Sequence, residues 1–77
     1  MDAATFALAV PDDPDLLARL MAVIAAQSDP PIAVDRTRTT VLAFTCDTWG
    51  PMLRSRVIVA LEEAVGPEWQ QIVRPLE

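Results

Sequence analysis

Thr39-Thr40-Val41-Leu42-Ala43-Phe44-Thr45-Cys46 is the stretch whose reading decides the fold. In an extended chain Val41, Ala43 and Thr45 fall on one side and Leu42, Phe44 and Cys46 on the other, and the run is rich in β-branched residues. Apolar side chains on both sides mark a strand with neighbours on each edge, so 39–46 is expected at the centre of a sheet. Residues 5–10 repeat the pattern, with Phe6, Leu8 and Val10 against Ala7 and Ala9. This predicts a second central strand. Two further segments read differently. In 32–36, Ile32 and Val34 face one way and Ala33 and Asp35 the other, with prolines just before. In 69–74, Trp69 and Val73 share a side with Gln71, Ile72 shares one with Gln70 and Arg74, and Pro75 follows. Proline and mixed polarity belong at sheet edges, so both are expected as edge strands, with a turn near residues 36–38.

Helical spacing fills the gaps between these segments. Asp13-Pro14 reads as an N-cap with proline at the first helical position, and Leu16, Leu17, Leu20, Met21 and Ile24 then recur at one face up to Gln27. Ser28-Asp29-Pro30-Pro31 is the stop. After the break at 47–50, Pro51 opens a second helix with the stripe Leu53, Val57, Ala60, Leu61, Ala64 and Val65, and Gly66-Pro67 closes it. The order is βαββαβ. Two right-handed βαβ crossovers interleave in a ferredoxin-like α+β sandwich, a four-stranded antiparallel sheet of order 4-1-3-2 with two helices on one face. That order places the first and third strands in the middle, where composition independently puts them. The uncovered face would carry Ala7, Ala9, Ala33, Val41 and Ala43, and a bare apolar patch of this kind meets a partner.

Composition narrows the function. The 77 residues are 52% hydrophobic and 22% charged, with no apolar run long enough to span a bilayer, which describes one soluble globular domain over 1–77. Leu76-Glu77 matches a dipeptide that commonly precedes an affinity tag and is given no weight. A net charge of −5 repels a phosphate backbone, so nucleic acid is not an expected partner, and neither is a membrane. The chain has no His, Lys, Tyr or Asn. Catalysis would rest on Asp, Glu, Ser or Cys without a paired general acid and base, which argues against an enzyme. The lone Cys46 forms no internal disulfide, and without His it anchors none of the usual zinc sets, so no metal or cofactor is expected. That suits a cytoplasmic protein, as does the absence of a signal-peptide pattern after Met1.

The segment Val10-Pro11-Asp12-Asp13-Pro14-Asp15-Leu16-Leu17-Ala18-Arg19-Leu20 resembles the first strand-to-helix junction of ACT domains, small regulatory modules with the same βαββαβ order. In that family an Asp-x-Pro-Gly-x-Leu-like stretch opens the first helix. Asp12, Pro14 and Leu17 match it position by position, while Asp15 stands where the family has the glycine that lets ligand and backbone approach closely. The resemblance covers the whole element order. It implies a noncatalytic ligand-binding or regulatory homodimer, with an amino-acid-like or cationic ligand at Asp12, Asp13, Pro14 and Asp15. The alternative is an assembly subunit whose open sheet face docks another protein without a small molecule. In either case Ala7, Ala9, Val41 and Ala43 form the expected interface.

Each remaining polar or aromatic feature has two readings. Asp12, Asp13 and Asp15 can hold a cation, or serve as N-cap and first-turn acids of a helix dipole. Cys46 lies on the presumed core face with Phe44 and is expected to be structural. Arg36 and Arg38 flank the presumed turn, where they bind an anion or face solvent. Arg54 and Arg56 sit in early turns of the second helix, which the positive dipole end disfavours and a partner would explain. Trp49 and Trp69 lie at element ends and are expected to pack in the core rather than recognise a ligand.

Overall fold

The computed structural model describes residues 4–27 and 31–76. Four strands, β1 (Ala4–Ala9), β2 (Ala33–Arg38), β3 (Val41–Cys46) and β4 (Arg74–Leu76), form one sheet in the order β2-β3-β1-β4. All of its pairings are antiparallel. Helix α1 (Pro14–Ala25) follows β1 and helix α2 (Gly50–Ala64) follows β3. The expected α+β ferredoxin-like arrangement is therefore present, with β1 and β3 at the centre. No helix among the described residues is long and apolar enough to cross a membrane. The stop expected at Ser28-Asp29-Pro30, the readings of the first three residues and that of Glu77 lie outside the described residues.

The core lies between the helices and one sheet face. Phe6 and Phe44 are directly opposed across β1 and β3, as are Leu8 and Leu42, and all four are buried. From α1 come Leu16, Leu17, Leu20 and Ile24, and from α2 Leu53, Val57, Ala60 and Leu61. Every one of these was legible as part of a helical stripe. Met21, at the margin of the first stripe, is exposed instead. Helix α2 ends where Gly66 takes φ +115°, a conformation side chains rarely adopt.

Asp13 caps α1 as its position before Pro14 predicts. Its Oδ1 accepts from the amides of Asp15 at 3.1 Å and Leu16 at 3.3 Å, two donors that the first helical turn cannot satisfy internally. Replacing Asp13 with Ala is expected to lower stability by about 0.5 to 2 kcal/mol. Its neighbour Asp12, in an exposed ion pair, should contribute less than about 1 kcal/mol on replacement by Asn. Urea denaturation of the two variants checks this, and an equal loss at both positions would contradict it.

Most strand limits shift by one or two residues, and two differences are larger. β2 continues to Arg38, and the turn falls on Thr39 and Thr40 rather than near 36–38. The turn carbonyls are used: Arg36 Nη2 donates to Thr39 O at 3.1 Å and the Val10 amide to Thr40 O at 2.9 Å. The pairing Arg36 with Leu42 and then Arg38 with Val41 leaves Thr37 as the extra residue of a β-bulge. The larger correction concerns the last strand. Residues 69–74 do not form it: Trp69–Gln71 is a short 3-10 helix, and β4 starts at Arg74 and runs through Pro75. The amides of Ile72 and Val73 both donate to Trp69 O, at 3.0 and 2.8 Å, so local bonds replace a ladder. Trp69 and Val73, one helical turn apart, are buried together while Gln70 and Gln71 stay outside. Pro75 is tolerated because β4 is an edge, where a missing N–H leaves no ladder bond unmade.

Candidate functional site

The open face of the sheet is built by register. Ala7 pairs with Ala43 and with Leu76, and Ala43 pairs with Asp35, which makes one row across all four strands. Ala9 pairs with Val41 and with Arg74, and Val41 with Arg38, which makes the next. Ala7, Ala9, Val41 and Ala43 occupy the middle of these rows and are half-buried within the single chain. Charge appears only at the rims, on Asp35, Arg38 and Arg74, all exposed. Ala33, opposite Thr45, is on the same face. The strands place every one of the expected interface residues together.

Both sheet edges are guarded against pairing with another strand. β2 carries Asp35, Arg36 and Arg38 together with the bulge, and β4 is three residues long with a proline in the middle. Charged side chains, bulges, proline and shortness are the devices that block edge-to-edge association. The centre of the open face has none of them.

At the junction of β1 and α1, Asp12, Asp13, Pro14 and Asp15 are contiguous and exposed. Asp13 is engaged in the cap, and Asp12 Oδ1 lies 3.6 Å from Arg36 Nη2. With about half or more of each side chain in water, that pair is weak. Asp15 lies in the first turn, where its charge complements the helix dipole. Among the described residues no group of three or more His, Cys, Asp or Glu side chains is placed to hold a metal ion.

The arginines early in α2 have partners within the chain. Arg54 stacks over Phe6 with its Cζ 5.5 Å from the ring centroid. Arg56 Nε donates to Gln27 Oε1 at 3.0 Å, its Nη1 approaches Cys46 Sγ at 3.5 Å, and its carbonyl accepts from Gln27 Nε2 at 3.4 Å. Arg56 thereby ties the end of α1 to α2, offsetting an unfavourable position in the dipole. Cys46 is buried, as its side of the strand predicts.

The tryptophans separate. Trp69 is buried in the core, but Trp49, the residue before α2, is 75% exposed, contrary to the expected packing role. Met52 and Val59 on α2 are also exposed, at 51% and 59%. Near the start of α2 a cleft of about 410 Å³ is lined by Thr5, Phe6, Gly50, Pro51, Arg54 and Leu76. Sequence reading missed it because its walls come from β1, α2 and β4, which only the fold brings together. A smaller cleft of about 220 Å³ borders Gln27, Ser55, Arg56 and Val59. Neither touches the aspartates of the first junction.

No protein-family model matches the chain, and neither a curated protein nor a solved structure matches it.

Proposed function

We propose that this chain is a noncatalytic regulatory module, of the kind ACT domains represent, that works as a homodimer joined through its open sheet face. The observation that carries the reading is the contrast on the sheet: guarded edges around an uncharged centre of Ala7, Ala9, Val41 and Ala43. A solvated antiparallel face ordinarily alternates to polar residues, whereas here Ala7, Ala9, Val41 and Ala43 put small apolar ones at its middle. Small side chains let a second sheet approach closely, and two-fold pairing is the commonest way for identical chains to use such a patch. The lack of His, Lys and Tyr supports a role in binding rather than catalysis. On the same resemblance, the exposed carboxylates of Asp12 and Asp15 are the groups that an amino-acid-like or cationic ligand would meet.

The face is small. Three six-residue strands and the three-residue β4, about 4.8 Å apart at about 3.4 Å per residue, give roughly 350 Å² of projected area, under half of what one partner contributes to a standard interface. A face of this size suits weak, concentration-dependent association, so the test is sedimentation equilibrium at roughly a hundred micromolar. A dimer mass is the expected result. A monomer mass would overturn the reading and assign the open face to a different protein.

A further inference from the structure

The bulge in β2 decides which charges reach the open face. Side chains alternate along a strand, so without Thr37 as an extra residue Arg38 would point to the helix side with Arg36. With it, Arg38 pairs with Val41 and joins the face that carries Asp35. Asp35 and Arg38 then stand at the same edge in adjacent rows, about 7 Å apart along the strand, one acidic and one basic. Neither is engaged by the ion pair or the side-chain hydrogen bonds that hold Asp12, Arg36 and Arg56. Bulges commonly re-aim a side chain for a purpose, and here the result is a self-complementary pair on a surface otherwise free of charge at its centre.

Resting on the homodimer reading above, we infer that the two open faces meet about a two-fold axis that crosses the strands between these two rows. Each row then lies over the other row of the second copy. Asp35 faces Arg38 of the partner subunit, and Arg38 faces Asp35 of the partner subunit. Ala7 meets Ala9 of the partner subunit, and Ala43 meets Val41 of the partner subunit. Simple alternatives do not join these charges. An axis along the strands keeps each residue in its row, so it never brings Asp35 to Arg38, and at the sheet centre it sets Arg38 over Arg74 of the partner subunit. An axis crossing the strands on the Asp35 row itself brings Asp35 over its own copy. Of the axes that run along or straight across the strands, the one between the rows joins Asp35 to Arg38, twice, by symmetry. It keeps the strands of the two sheets aligned, one of the two ways in which sheets stack.

The test is a charge swap in the full chain, read by sedimentation equilibrium, with Asp35→Arg, Arg38→Asp and the double variant beside the unmutated chain. Both positions are exposed on an edge strand, and circular dichroism verifies that each variant is folded. Each single reversal sets like charges against each other twice per dimer and should raise the dimer Kd by about tenfold or more. The double variant restores opposite charges and should return Kd to within about threefold of the unmutated chain. If the unmutated chain is a dimer and the single reversals leave Kd unchanged, or the double variant loses the sum of the two, this axis is wrong while the face-to-face dimer stands. A monomeric unmutated chain would remove the underlying reading instead.

Discussion

Phe44→Ala is expected to cost the chain about 3 to 5 kcal/mol of folding stability at 25 °C. Phe44 is the largest of the fully buried side chains, at the middle of β3, opposite Phe6 on β1 and Val34 on β2. Truncating a buried phenylalanine costs about 3 to 5 kcal/mol, the lost transfer energy plus the cavity left behind. The directly opposed Phe6 would lose its aromatic neighbour as well, a pair that adds about 0.5 to 1.5 kcal/mol beyond area. Domains hold roughly 0.05 to 0.15 kcal/mol per residue, so a chain of this length has about 4 to 12 kcal/mol in total. One substitution therefore removes a quarter or more of the margin. Urea titration at fixed protein concentration measures it, since association would otherwise shift the midpoint. Thr45→Ala, one residue along and exposed, serves as the control and should stay within about 0.5 kcal/mol. A loss below about 1 kcal/mol at Phe44 would contradict the core described here.

The contrast between positions 44 and 45 also shows why the fold was legible in the sequence. Alternation at 41–46 and 5–10 is a local signal, set by the pleat, and it carries the face of every residue once the strand is recognised. The limits of the helices were legible for the same reason: Asp13-Pro14 supplies a cap and a fixed φ, and Gly66 supplies a left-handed turn, whatever the rest of the chain does. What stayed hidden depends on pairing. The bulge at Thr37 exists only relative to β3, so no pattern within 32–38 announces that Arg38 changes face. Alternation and helical spacing both fit Trp69 and Val73, and the buried tryptophan decided in favour of the turn. Trp49 had no such neighbour, and its exposure is set by the direction in which α2 leaves the sheet. Of the candidate site, the capping role of Asp13 was readable from its neighbours, whereas the meeting of Asp12 with Arg36 and the cleft beside Arg54 required the folded chain.

Ala43→Asp, next to Phe44 but on the opposite face, should act on association and leave the fold in place. In the single chain Ala43 is half-buried between Ala7 and Asp35, and a carboxylate there still reaches water across the open face. Its cost to the monomer is the like-charge contact with Asp35 directly opposite, about 0.2 to 1 kcal/mol. In the dimer the same carboxylate is covered by the second sheet, against Val41 of the partner subunit, and the nearest cation, Arg38 of the partner subunit, is already opposite Asp35. Two such groups per dimer each lose hydration without a partner, a penalty of several kcal/mol. At 1.4 kcal/mol per factor of ten, Kd should rise by about a hundredfold or more, which takes a dimer with Kd of about one micromolar to a mostly monomeric chain at roughly ten micromolar. Sedimentation equilibrium should give the monomer mass while the circular dichroism spectrum keeps its folded form. Ala43→Ser, similar in size and uncharged, should remain a dimer and separates the effect of charge from that of shape. A dimer undisturbed by Asp at position 43 would mean that the copies meet elsewhere, and an unfolded chain would mean that the open face belongs to the core.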